Sequence, residues 1–67
     1  MMEIQLNGEA LEVPANATIT ALLDQLELTG KRLAVEVNED IVPRSTHPEF
    51  SLSPGDRVEI VHAIGGG

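Results

Sequence analysis

The 67-residue sequence predicts a single α+β domain in which one helix covers one face of a five-stranded sheet. Five short segments have the apolar alternation or the brief apolar runs of strands, and one segment has the apolar spacing of a helix. A chain this short buries only about 60% of the surface that its unfolded form exposes. We therefore expect one thin core, built from the twenty Ile, Leu, Val and Phe residues, and a modest net stability.

The first two strands are predicted to form a hairpin. Apolar and polar residues alternate over 4–6 and again over 11–13, and Asn7-Gly8 lies between the two segments. Asn-Gly is the preferred sequence for a two-residue hairpin loop. The same pair does not predict a phosphate-binding loop, because neither a longer glycine-rich arc nor a helix N-terminus follows it.

The single helix is predicted to begin after Thr18, whose hydroxyl can cap it. Apolar residues from Ile19 to Leu26 fall at positions i, i+3, i+4 and i+7, which gives the helix one apolar face. Gly30 is placed to end the helix in a left-handed conformation. The helix is expected to cover about ten residues.

The second half of the chain predicts three more strands. Residues 33–37 alternate, residues 38–40 have turn composition, and 41–42 form a short apolar run that Pro43 stops. A short run ending at proline is typical of an edge strand. Residues 44–52 show no clean period, so no regular element is predicted for them.

A Pro-Gly turn introduces the fifth strand, which is expected to run to about Ile64. Alternation places Val58 and Ile60 toward the core and leaves Val61 and Ala63 on the opposite face. Because only one helix is available to cover the sheet, that opposite face is expected to be open to solvent or to a partner.

The chain is predicted to divide into a folded domain, residues 1–64, and a flexible glycine tail, residues 65–67. Glycine has no side chain to pack and loses much conformational entropy when it is ordered.

Charge and composition exclude several functional classes. A net charge of −7 disfavours nucleic acid and anionic membranes and favours a partner with a basic surface. There is no cysteine, and no apolar segment approaches the ~20 residues that span a bilayer. We expect a soluble, cytoplasmic protein.

No active site is predicted in the body of the chain, and the protein is not expected to be an enzyme. His47, in the irregular segment, is expected to be a solvated surface residue and not a metal ligand. His62, close to the glycines, is expected on the surface, with a partner contact as the alternative interpretation. Neither catalytic residues nor a metal site are predicted, and the adjacent acids Glu39 and Asp40 are explained by the turn that they occupy.

The terminal carboxylate of Gly67 is the one group with a chemical use. Three terminal glycines alone are a weak signal, but here they directly follow a predicted strand that would hold the carboxylate on a short tether. Glycine lacks Cβ, so such a tether can enter a narrow channel and leave the terminal carbonyl unhindered. Because a carboxylate is a poor electrophile, another enzyme would have to activate Gly67, and the chain would be its substrate.

Two segments resemble one known family over essentially the whole chain. The segment Asn38-Glu39-Asp40-Ile41-Val42-Pro43-Arg44 and the ending from Gly55 to Gly67 resemble the thiamin-biosynthesis sulfur carriers, which are ubiquitin-like. The resemblance implies a ubiquitin-like β-grasp fold with a mixed five-stranded sheet, in which the first and last strands pair in parallel at the centre of the sheet.

The resemblance also implies a reaction cycle. An adenylyltransferase related to ubiquitin-activating enzymes would convert Gly67 to an acyl-adenylate with ATP and magnesium, and the carrier itself would hold no cofactor. Sulfur supplied through a cysteine desulfurase would then give a C-terminal thiocarboxylate, and thiazole synthase would take that sulfur. Gly65 and Gly66 would thread partner active sites. The expected partner contacts are Val61, Ala63 and Ile64.

Three alternatives remain. The small subunit of molybdopterin synthase shares the fold and the chemistry but is usually longer and differs before its terminal glycines. A ubiquitin-like modifier would form isopeptide bonds through the same activated carboxylate. A binding module with an inert tail would keep its interactions after loss of the glycines.

Overall fold

The computed structural model describes residues 1–62 of the chain. The strands are β1 (Met2–Leu6), β2 (Glu9–Val13), β3 (Leu33–Val37), β4 (Asp40–Ile41) and β5 (Arg57–His62), the α-helix is α1 (Ile19–Gln25), and a 3₁₀-helix spans Arg44–Thr46. The five strands form one mixed sheet in the order β2-β1-β5-β3-β4. One main helix with one five-stranded sheet confirms the predicted fold class.

The hairpin of β1 and β2 is confirmed, with Met2 opposite Val13 and Leu6 opposite Glu9. The loop residues Asn7 (φ 49°) and Gly8 (φ 86°) both have positive φ. Positive φ at both loop positions gives the type I′ turn, whose twist matches that of the flanking strands. Asn7-Gly8 is therefore a turn, as the sequence predicts.

Strand β5 lies at the centre of the sheet. It pairs in parallel with β1, through Leu6 opposite Val58, and antiparallel with β3, from Leu33 opposite His62 to Val37 opposite Val58. The last strand in sequence is thus inserted between the first strand and the third. This confirms the parallel central pair that the family resemblance implies.

Helix α1 begins where the sequence predicts. The hydroxyl of Thr18 accepts a hydrogen bond from the N–H of Ala21 at 3.1 Å, which satisfies one of the free donors of the first turn. Ile19 and Leu22 on the inner face of α1 are buried in the core. The helix therefore forms the second layer of the domain.

The predicted end of the helix is wrong: α1 has seven residues and ends at Gln25, before Gly30. Glu27 adopts the left-handed conformation instead (φ 60°), and the N–H of Leu28 bonds the carbonyl of Leu23 at 2.8 Å. This is the Schellman pattern, in which the reversal brings an apolar residue back onto the helix. Leu23 and Leu28 both pack against the core, and that contact ends the helix early.

The core lies between α1 and the inner face of the sheet. Its buried apolar residues are Ile4, Val13, Ala17, Ile19, Leu22, Val35, Val37, Val42, Leu52, Val58 and Ile60. On β5 the predicted alternation is confirmed, because Val58 and Ile60 are buried and Val61 is exposed. The opposite face of the sheet has no covering helix among residues 1–62. None of the helices in this part of the chain is long and apolar enough to cross a bilayer.

Candidate functional site

The candidate site is the end of β5, because this strand leads directly into the C-terminal glycines. Its last described residue is His62, which pairs with Leu33 of β3. The predicted ends of the strand, near Ile64, and of the domain therefore stay predictions. Five of the predicted site residues lie outside the described residues, namely Ala63, Ile64, Gly65, Gly66 and Gly67.

Two exposed apolar residues lie on the open face of the sheet, one of them at this end of β5. Val61 is 54% exposed and lies opposite Ala34, while Ile41 on edge strand β4 is 71% exposed. Glu36 lies opposite both Ile41 and Glu59, and it places acidic groups between the two apolar residues. The one predicted contact residue that the structure describes, Val61, is therefore accessible to a partner.

The surface around Val61 is concave. An open depression of about 420 Å³ lies between β5 and the β1–β2 turn. It is lined by Gln5, Asn7, Gly8, Arg57, Val58, Glu59, Ile60 and Val61. The depression lies next to the end of the strand.

The side chain of Asn7 holds the second half of β5. Its Oδ1 accepts the N–H of Ile60 at 2.9 Å, and its Nδ2 donates to the carbonyl of Ile60 at 3.3 Å. The backbone N–H of Asn7 also donates to the carbonyl of Val58 at 2.9 Å. The side chain of a turn residue thus makes the hydrogen bonds that the backbone of β1 would make if that strand were longer.

Asn38 holds the start of the same strand from the opposite edge. Its Oδ1 accepts the N–H of Arg57 at 3.0 Å, and its backbone N–H donates to the Arg57 carbonyl at 2.7 Å. Its Nδ2 donates to Asp56, whose other carboxylate oxygen accepts the N–H of Ser53 at 2.8 Å. The sequence predicted only that Asn7 and Asn38 lie in turns. The feature that could have indicated their contacts with β5 is that asparagine occupies the first left-handed position of both turns.

The expectation that His47 is a solvated surface residue is wrong. It is only 5% exposed, and its Nε2 lies 3.0 Å from the carbonyl oxygen of Val42. Because a carbonyl only accepts hydrogen bonds, Nε2 must carry the hydrogen. The 3₁₀-helix before His47 turns this segment toward α1, where the His47 carbonyl accepts the N–H of Thr20 at 3.4 Å, so the ring has a structural role.

The other candidate groups remain dispersed. His62 is exposed, as expected, and its partner contact stays a prediction. Glu39 lies in the β3–β4 turn at 3.9 Å from Arg57, and both side chains are largely exposed, so this ion pair adds little stability. Among residues 1–62, no group of three or more His, Asp or Glu side chains could hold a metal ion.

Comparison with protein families gives a match over almost the whole chain. The model of the ThiS family matches residues 3–67, a range that runs from the second residue of β1 through β5 to the terminal glycines.

Two sequence relatives differ in how much of their own length the chain spans. The chain is 32% identical over 66 residues to the sulfur carrier protein ThiS of Escherichia coli strain K12, and the match covers 98% of the chain and 100% of that protein. It is 41% identical over 66 residues to a thiazole synthase of Paramagnetospirillum magneticum, covering 98% of the chain. The chain spans only 20% of the length of that synthase.

A solved structure is also similar to the chain over almost its whole length. The crystal structure of the thiamine biosynthesis protein ThiS from Geobacter metallireducens superimposes with a TM-score of 0.85 at 29% identity. The superposition covers 98% of the chain and 100% of that protein. The β-grasp arrangement implied by the family resemblance is confirmed by this likeness.

Proposed function

The chain belongs to the ThiS family, and from this premise we propose that it is a sulfur carrier whose Gly67 carboxylate is converted to a thiocarboxylate for thiazole formation in thiamin biosynthesis. The match that carries the proposal extends to the glycine end, where the reactive group would lie. In this role the chain is a protein co-substrate, and its partners perform the catalysis.

The first step activates the carboxylate. An oxygen of Gly67 attacks the α-phosphorus of ATP, pyrophosphate leaves, and an acyl-adenylate forms in the active site of an adenylyltransferase. That enzyme would hold the ATP together with magnesium, which neutralises phosphate charge. The carrier supplies only the carboxylate and the surface that docks it.

The second step replaces one oxygen by sulfur. The terminal sulfur of a persulfide, generated by a cysteine desulfurase, attacks the activated carbonyl, and AMP leaves with the former carboxylate oxygen. A second thiol then attacks the resulting acyl disulfide. The thiocarboxylate is released. A disulfide forms between this second thiol and the sulfur that had carried the persulfide, which balances the electrons.

Thiazole synthase is the proposed acceptor of the sulfur. The support is the P. magneticum thiazole synthase, one fifth of which is similar to this chain. A segment similar to the carrier and the remainder of that synthase therefore belong to one polypeptide. We propose that this chain contacts a thiazole synthase in an equivalent way.

Intact-mass measurement tests the proposal. Incubation with ATP, magnesium, the adenylyltransferase, a cysteine desulfurase and cysteine should raise the mass by about 16 units, the difference between sulfur and oxygen. Fragmentation should locate the gain at Gly67. An unchanged mass, with the enzymes active on another ThiS carrier, would contradict the proposal, whereas isopeptide linkage of Gly67 to lysine would support the modifier alternative.

The partner surface is proposed to include Val61, continuing to Ala63 and Ile64, with His62 beside them. A charged residue in the centre of a docking surface must lose its hydration when the partner binds. Val61→Glu is therefore expected to raise the KM of the adenylyltransferase for the carrier about tenfold, equivalent to about 1.4 kcal/mol, with little change in kcat.

Ala21→Glu is the matched control for Val61→Glu. It adds the same charge at an exposed position of α1, in the layer opposite the open face of the sheet. Its KM should stay within about twofold of the wild-type value, since exposed residues outside an interface contribute little. Equal KM values for the two variants would exclude Val61 from the interface.

A further inference from the structure

The parallel pairing of β1 with β5 ends before β5 does. The last residue of β1, Leu6, lies opposite Val58, while β5 continues to His62. The carboxamide of Asn7 takes over at the next position that faces this edge, where it pairs with both the N–H and the carbonyl of Ile60. It therefore extends the hydrogen bonding of β1 toward the C-terminal end of β5.

These two hydrogen bonds hold the backbone of Ile60, which lies seven residues before Gly67 in the chain. Ile60 is only 8% exposed with the carboxamide in place, and both hydrogen bonds are partly buried. Without the carboxamide, the N–H and carbonyl of Ile60 lose this partner and face the open depression, so this end of the strand is held more weakly. The end of β5 would then be held by β3 alone, through the pairs Glu36–Glu59 and Ala34–Val61.

We propose that Asn7 is a positioning residue that fixes the direction in which β5 presents the C-terminal glycines to the activating enzyme. This inference rests on the proposed function. Gly67 follows Ile60 by only seven residues, and the proposed effect is that a loosened backbone at Ile60 lowers the fraction of bound carriers whose carboxylate is aligned for reaction. Misplacement of a reacting group by about 1 Å can reduce the rate about 100-fold, so control of direction matters for adenylation.

Asn38 provides an internal control, because it binds the same strand by the same means but at its other end. Both asparagines occupy the first position of a hairpin turn, with φ 49° at Asn7 and φ 51° at Asn38. Both accept a backbone N–H of β5, at 2.9 Å from Ile60 and 3.0 Å from Arg57. Loss of the Asn38 carboxamide should loosen the start of β5 and leave its C-terminal end in place.

Asn7→Gly and Asn38→Gly are the variants to compare. Glycine accepts positive φ readily, so each variant removes the carboxamide and keeps the turn. The measurements are kcat and KM for adenylation of the full chain by its adenylyltransferase, together with amide hydrogen exchange of the free protein. Exchange at Ile60 is compared with exchange at core amides of β3, which corrects for a change in global stability.

Asn7→Gly is expected to lower kcat about tenfold with KM within about twofold, because docking persists while fewer bound carriers have the carboxylate aligned. Exchange at Ile60 should rise about tenfold relative to the β3 amides. Asn38→Gly should leave both quantities near their wild-type values. A merely structural role for Asn7 would lower stability without this separation of kcat from KM.

Failure of the inference and failure of the proposed function give different results. If wild-type protein is adenylated and the two variants have equal kcat values, the positioning role is refuted while the carrier function stands. If wild-type protein is not adenylated by an enzyme active on another ThiS carrier, the proposed function fails. In that case an unchanged exchange rate at Ile60 in Asn7→Gly refutes the structural basis of the inference as well.

Discussion

Adding one alanine after Gly67 is expected to reduce thiocarboxylate formation at least about 100-fold. The addition converts the Gly67 carboxylate to an amide and moves the terminal carboxylate about 3.5 Å further along the chain. A displacement of about 1 Å is enough to cost about 100-fold in rate when the reacting groups must be aligned. Intact-mass measurement after incubation with the sulfur-transfer enzymes checks the result.

The extended chain should fold normally, because the added residue lies beyond β5 and removes none of its contacts. Its free energy of unfolding in urea should therefore equal that of the unmodified chain. A chain with one alanine added before Met1, an exposed residue, is the matched control and should be thiocarboxylated at the normal rate. A mass gain of normal yield on the C-terminally extended chain would refute the assignment of function to Gly67.

The second large effect concerns stability, and Leu22→Ala is expected to lower the free energy of unfolding by about 3 kcal/mol. Leu22 is fully buried between α1 and the sheet, and its truncation removes apolar contacts and leaves a cavity. A domain of this size has a total stability of about 3 to 10 kcal/mol. The variant is therefore expected to be substantially unfolded at temperatures where the parent domain is folded.

Urea unfolding followed by circular dichroism measures this loss as a shift of the midpoint. Leu22→Met is the matched control, since it nearly conserves side-chain volume and should cost less than about 1.5 kcal/mol. Ala21→Gly, one residue earlier on the exposed face of α1, should cost only about 1 kcal/mol through helix propensity. A loss of less than about 1 kcal/mol for Leu22→Ala would contradict the packing of α1 on the sheet.

Local sequence patterns predicted the features that depend on residues close to one another in the chain. Asn7-Gly8 predicted the β1–β2 turn because positive φ at both positions is a property of that dipeptide. Thr18 predicted the start of α1 because its hydroxyl bonds a backbone group three residues away. Alternation on β5 predicted the burial of Ile60 and the exposure of Val61, because successive side chains of a strand point to opposite faces of the sheet.

Contacts between distant segments decided what the patterns missed. Gly30 was the better local candidate for the helix end, but packing of Leu28 against the core made Glu27 adopt the left-handed conformation. Similarly, composition around His47 indicated a surface loop, whereas the fold buries its ring against the Val42 carbonyl. In both cases a tertiary contact outweighed a local preference.

The sequence by itself determined the α+β class, the hairpins, the family and the terminal carboxylate as the group to test. Each of these depends on residue order alone. Only the tertiary structure showed that Asn7 and Asn38 hold opposite ends of β5, since Asn7 and Ile60 are 53 positions apart in the chain. A turn residue and a strand so distant in sequence meet only when β5 lies at the centre of the sheet, and no local sequence pattern indicates that contact.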